Sequence, residues 1–169
     1  MLRTRLATVH DLKTLVTLET GPDTARYLGV TGLGFHERAL ADPDQEQIVG
    51  ELDDPATGPA IVGFVVLAGL RDGGGRIELR RIVLSGAHRG GGHGRALFRA
   101  AVARAYRRHG AAELWLDVKP ENSRGRALYE SEGLVHTGTI PDPVYPGEEL
   151  LLMAYPARPA LADELESIH

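Results

Sequence analysis

The chain has 169 residues, with 19 Lys plus Arg against 23 Asp plus Glu and a formal net charge of −4. That length suits one domain with a core of its own, and the mild acidity argues against a general nucleic-acid surface, which needs clustered positive charge. Because the chain has no cysteine, disulfides, thiolate metal sites and a cysteine nucleophile are excluded.

Leu2 to Thr8 alternates and reads as a first strand. Thr8 suits the cap of a helix starting at Val9, with Asp11 in its first turn. Helical spacing continues through Leu12, Leu15, Val16 and Glu19 until Gly21-Pro22 stops it. Asp23 to Leu40 reads as one or two short helices, interrupted around Gly29 to Gly34. Glu46 to Leu52 is a strand, and Ala60 to Leu70 is a near-continuous apolar strand buried on both faces. No apolar run approaches the length of a membrane span, and Met1 to Arg5 has no apolar stretch behind it. The expectation is a cytoplasmic protein that binds neither membrane nor nucleic acid.

Arg76 to Leu84 is the most informative strand. Ile77 and Leu79 share one face, and so do Ile82 and Leu84, but three positions separate Leu79 from Ile82. The alternation slips by one near Arg80-Arg81, which is the trace of a β-bulge and predicts side chains re-aimed beside a site. A helix follows from about His93 to His109, with Leu97, Phe98, Ala101, Val102 and Ala105 on its apolar stripe and Gly110 as its stop. Leu114 to Val118 is a strand whose Trp115 is expected in the core. Asn122 or Ser123 caps a second helix ending near Glu132, and Val135 to Ile140 and Leu150 to Tyr155 are the last strands. Pro156 to His169 reads as a frayed tail with room for a short acidic helix.

Between the slipped strand and the helix lies Arg89-Gly90-Gly91-Gly92-His93-Gly94-Arg95. Glycines admit close backbone approach, and free N–H groups at a helix start attract phosphate. A P-loop is excluded because the chain has no Gly-Lys pair, and the dinucleotide fingerprint fails because its third glycine would be Arg95 or Leu97. His88 and His93 match no zinc spacing, and no metal is expected.

Arg89, Gly92 and Gly94 fit R/Q-x-x-G-x-G/A after a bulged strand. This resembles the acetyl-CoA loop of the GNAT superfamily, the Gcn5-related N-acetyltransferases. Leu114 to Val118, Asn122 and then Ala127-Leu128-Tyr129-Glu130-Ser131-Glu132-Gly133-Leu134 resemble the second motif of that family, with Leu134 in place of the usual Phe. The resemblance implies an α/β (α+β) fold with a mixed, mostly antiparallel sheet of about seven strands, flanked by about four helices. It also implies that the bulged fourth strand and the fifth splay apart. Residues 1–156 would form the single domain and 157–169 the tail.

The resemblance further implies acetyl-CoA as cosubstrate. Its pantetheine arm would lie along Ile82, Val83 and Leu84, and its pyrophosphate on amides of Gly90, Gly91, Gly92, His93, Gly94 and Arg95, beside Arg89. Asn122 would contact the cosubstrate or only cap its helix. Tyr129 matches the general acid that protonates the leaving thiolate. Two carboxylates match bases of different branches: Glu78, eleven residues before Arg89, and Asp117, twelve before Tyr129. Glu78 is favoured: it precedes the bulge, its longer side chain can reach an amine through one water, and Asp117 is one methylene shorter than the branch it matches, with Lys119 on the same strand face expected to pair with it and hold it ionised at lower pH. The acceptor would be an amine, on a small molecule or at a protein N-terminus or lysine, and monomer or homodimer stays open. The acceptor loops carry Glu19, Asp23, Asp142, Tyr145, Glu148 and Glu149, which would attract a cation. The competing readings are transfer of a longer acyl group, an acyl-CoA sensor of the same fold without turnover, and a phosphate-binding regulator of another fold.

Overall fold

The computed structural model describes residues 1–163. Seven strands form one sheet: β1 (Arg3–Leu6), β2 (Gln45–Asp54), β3 (Gly58–Ala68), β4 (Arg76–Leu84), β5 (Glu113–Val118), β6 (Val135–Pro141) and β7 (Glu149–Ala154). Their order is β1-β2-β3-β4-β5-β7-β6, and every neighbouring pair is antiparallel except β4–β5. Five α-helices flank the sheet, one more than expected: α1 (Leu12–Glu19), α2 (Pro22–Tyr27), α3 (Leu33–Ala41), α4 (His93–Arg107) and α5 (Ser123–Ser131). Among the described residues, no helix is long and apolar enough to cross a membrane.

The sheet buries both faces. On one, Leu97, Phe98, Ala101, Val102 and Ala105 of α4 pack against Val65, Leu67, Ile77 and Leu79, with Leu114 and Leu116 of β5 alongside. On the other, Leu12 and Leu15 of α1 pack against Val49, Phe64, Val66 and Val83. This double burial is why β3 reads as a continuous apolar run. The chain end does not fray directly after β7. Residues 160–163 form a 3₁₀ turn whose Leu161 and Ala162 join the α4 core, and the short acidic helix allowed for the tail lies outside the described residues.

The slip at Arg80-Arg81 is a β-bulge. Val66 pairs with Arg81 and Leu67 with Leu79, so Arg80 has no partner in β3. Arg81 is thereby turned inward and buried, where it lies 3.6 Å from Glu19 and donates to the carbonyls of Leu28 (3.0 Å) and Gly29 (2.6 Å). Glu19 is fully buried at the end of α1. It accepts from the N–H (2.8 Å) and hydroxyl of Thr31 and lies 2.7 Å from His36 Nε2. His36 in turn faces Gln47 on β2, whose side-chain amide donates to the His36 carbonyl at 3.0 Å. One polar chain thus ties α1, the α2–α3 connection, α3 and β2 to the bulge.

Burial alone would raise the Glu19 carboxyl, but the His36 and Thr31 hydrogen bonds and the Arg81 charge outweigh it and hold the group at about 2. A carboxyl held below its ordinary value near 4.5 stabilises the fold fully above that pH, and the contribution is lost as pH falls toward 2. Replacing Glu19 by Gln also leaves Arg81 buried without its counter-charge. Glu19→Gln should therefore destabilise the protein at neutral pH by on the order of 3 kcal/mol. Denaturant unfolding across acidic pH should show the two stability curves converging below the ordinary carboxylate range. Parallel curves would remove Glu19 as the source.

Candidate active site

β4 and β5 pair only at Arg76–Glu113, Ile77–Leu114 and Glu78–Trp115. Beyond the bulge the two strands separate, and a cleft of about 890 Å³ opens at the split. Ile82, Val83 and Leu84 line one wall, Asn122, Leu128 and Tyr129 the other, and Arg89, Gly90, Gly92, His93, Gly94 and Arg95 the end. Thr24 and Tyr27 of α2, with Leu28 just after it, complete the wall. Of the loop residues expected here, Gly91 alone is not in the lining, and a side chain on it would meet the His93 ring at 3.0 Å.

The glycines are needed for two reasons. Gly90 and Gly92 have φ of +86° and +79°, in the left-handed region, and a Cβ on either would project into open space rather than onto protein. Gly92 is the N-cap of α4 and no side chain caps that helix. The first-turn N–H groups of α4, which have no intrahelical acceptor, therefore open on the cleft with the positive end of the helix dipole. This cradle fits a pyrophosphate. The guanidinium of Arg95 is ion-paired with the buried carboxylate of Glu132, so Arg95 offers the cleft its backbone rather than its charge. Asn122 caps α5, accepting the Gly125 N–H at 3.0 Å, and also lines the cleft, so its two expected roles coexist.

Tyr129 is buried, with its ring 5.7 Å from that of Phe98, and it reaches the cleft wall from α5. Burial, with the Asp117 charge behind it, pushes its phenol above the ordinary value near 10. Glu78 is ion-paired to Arg80 at 2.9 Å. Asp117 is half-buried. Burial raises its carboxyl, the charges of Glu78 and Asp142 raise it further, and Arg80 opposes them. The expected pairing of Asp117 with Lys119 does not form. The ammonium of Lys119 lies 4.0 Å from Asp142 and 4.2 Å from the centre of the Tyr145 ring. The reason is reach: β5 is ending at Val118, and Lys119 turns toward the β6–β7 connection.

Other expectations also change. Glu19 is buried behind Arg81 and offers nothing to an acceptor. Asp142 is buried and accepts the N–H groups of Val144 (2.8 Å) and Tyr145 (3.2 Å), holding its own loop. Trp115 is half-buried outside the core, with the Arg76 guanidinium 4.5 Å above its ring. Sequence reasoning missed the α2 wall and the inward turn of Arg81. The slip itself carried the second signal, since it moves Arg81 off the face shared by Ile77 and Leu79.

The sequence profile of the acetyltransferase (GNAT) family matches residues 8–134, and the chain belongs to that family. No curated protein sequence matches it. A spermidine N-acetyltransferase SpeG chimera from Vibrio cholerae and hSSAT superposes with a TM-score of 0.79 at 18% identity, over 96% of this chain and 99% of that one. The Vibrio cholerae spermidine N-acetyltransferase solved with CoA and spermine gives 0.75 at 20% identity, over 90% and 94%. The ribosomal-protein-S18-alanine N-acetyltransferase from Escherichia coli gives 0.72 at 19% identity, over 98% and 99%. At these identities the likeness is one of fold.

Gly92→Ala places a Cβ where the cradle opens and strains a left-handed backbone. Calorimetric titration with acetyl-CoA should show affinity falling about tenfold or more, while the backbone strain costs only about 1–2 kcal/mol of stability. Unchanged affinity would remove the loop from the site.

Proposed function

We propose that the chain transfers the acetyl group of acetyl-CoA to a primary amine by direct attack within a ternary complex, with Tyr129 as general acid and Asp117 as general base. The observation that carries this reading is the junction of three features at one split in the sheet: an uncapped helix start, an unpaired strand edge and a buried phenol. The amides of the Gly90 to Arg95 turn take the pyrophosphate. The β4 edge beyond Glu78 has backbone groups with no partner in β5, so an extended pantetheine arm adds to it like a strand.

Transfer forms a nitrogen–carbon bond and breaks the thioester carbon–sulfur bond. The attacking nitrogen must shed a proton, and the departing sulfur must gain one. A phenol is protonated at neutral pH, and burial disfavours the phenolate further, so Tyr129 holds a donor for the sulfur. Asp117 is drawn toward the neutral form by burial and by the charge of Glu78, which suits it to accept a proton beside the cleft. Glu78 is the electrostatic partner, restrained by Arg80. This order reverses the preference for Glu78, which rested on its place before the bulge and its longer side chain as well as on the absent Lys119 pairing. The names of the structural neighbours carry both a polyamine and an alanine of a ribosomal protein, and an amine nitrogen as acceptor is what the two share.

Thiol release measured across a panel of small amines and peptide N-termini tests the reading, because a sensor would bind acetyl-CoA without releasing thiol. Tyr129→Phe keeps the ring that packs on Phe98, so it should retain acetyl-CoA affinity and melting temperature and lose about 10²- to 10⁴-fold in kcat. Near-full kcat across pH would make Tyr129 a packing residue.

The carboxylates separate in the pH dependence of kcat/KM. Asp117→Asn should lose about 10²-fold or more together with the acidic limb. Glu78→Gln removes a negative charge that raises Asp117, so its acidic limb should move to lower pH. The opposite pattern would make Glu78 the base.

A further inference from the structure

We propose that Asp23 is a built-in competitor for phosphate: its carboxylate holds the arginines at the mouth of the cleft, and an acyl donor must displace it with its own phosphates. This rests on the acyl-CoA reading above and adds a residue that sets how strongly the cleft takes a phosphate-bearing ligand.

Asp23 lies in the first turn of α2 and lines the cleft. Its Oδ2 is ion-paired with Arg89 and lies 3.8 Å from Arg124 Nη1. Arg89 closes the 3₁₀ turn just before Gly90, and Arg124 is in the first turn of α5 just after Asn122, so the two cations come from opposite sides of the cleft mouth. A single carboxylate between two guanidinium groups, beside an open helix start, occupies the place and the charge of a phosphate oxygen. Arg95 is already committed to Glu132, which leaves Arg89 and Arg124 as the guanidinium groups that Asp23 contests.

The contact is of the exchangeable kind. The Asp23 side chain is 49% exposed, that of Arg124 70% and that of Arg89 28%, and ion pairs open to solvent on the carboxylate side are worth about 1 kcal/mol. The pyrophosphate carries two negative charges against the one of a carboxylate, and it can take Arg89 in a bidentate fork while also accepting the α4 amides.

The test compares wild type and Asp23→Asn in equilibrium binding to CoA and to pantetheine, which lacks every phosphate. The variant should bind CoA about fivefold more tightly, the scale set by an exposed ion pair, with pantetheine affinity unchanged. In an Arg89→Gln, Arg124→Gln background the gain from Asp23→Asn should shrink toward nothing, because both contested groups are gone. Equal or weaker CoA binding by Asp23→Asn, or the same gain with pantetheine, overturns the competitor role while leaving the acyl-CoA reading intact. Failure of both proteins to bind CoA overturns that reading and this proposal together.

Discussion

Arg80 stands in β4 without a partner in β3, because Val66 faces Arg81 and the next residue, Leu67, already faces Leu79. Three consequences follow from that unpaired residue. The strand bends away from β5, so parallel pairing stops after Glu78–Trp115 and the cleft exists at all. Arg81, which strict alternation from Ile77 and Leu79 would place on the α4 face, turns inward on the opposite face and finds Glu19. Arg80 itself stays outside and reaches back to Glu78. The opening, its α2 wall and the charge balance at its base therefore share one origin in the backbone.

The ionic contacts fall into two regimes. Glu19 with Arg81, and Glu46 with Arg104 and His109, are shielded from water, and both carboxyls end at about 2 because paired partners outweigh burial. Such groups are costly to separate, since removing one leaves the other uncompensated in a poor solvent. They sit where the fold must not move: behind the bulge, and where the foot of β2 meets α4. Asp23 with Arg89 and Arg124 lies at the rim, screened and exchangeable. Placing the strong pairs behind the cleft and the weak ones at its mouth lets the scaffold stay rigid while the entrance responds to a charged ligand.

Local patterning carried most of the fold. The slip in β4 is a one-dimensional signal, since a period of two cannot hide an extra residue, and the glycine run with its flanking Arg89 is equally local. The α4 stripe and the Asn122 cap were legible for the same reason. What stayed hidden depends on partners distant in sequence. Lys119 is two residues from Asp117 and reads as sharing its face, yet β5 ends at Val118 and the loop carrying Asp142 lies close enough to take the ammonium, and no spacing rule conveys that reach. Glu19 looked like an acceptor-loop carboxylate until α3 brought His36 and the bulge brought Arg81 to it. The end of the chain looked frayed because Leu161 and Ala162 are too few to show a period, while their burial is decided by the flank of α4.

The acid and the base of the proposed reaction need opposite things from one environment. Tyr129 must keep its proton until sulfur departs, and Asp117 must be ready to accept one from an amine. Withdrawal of water raises both groups, because it disfavours the charged form of each. The same negative charges then act in series: Glu78 and Asp142 raise Asp117, and Asp117 raises Tyr129. Carried too far, this would protonate Asp117 and end its use as a base. Arg80 is the one cation that opposes the rise, and it holds Glu78 at 2.9 Å. The residue that breaks the strand register thus also limits the electrostatic cost of crowding two carboxylates beside a buried phenol, which ties the shape of the cleft to the protonation states inside it.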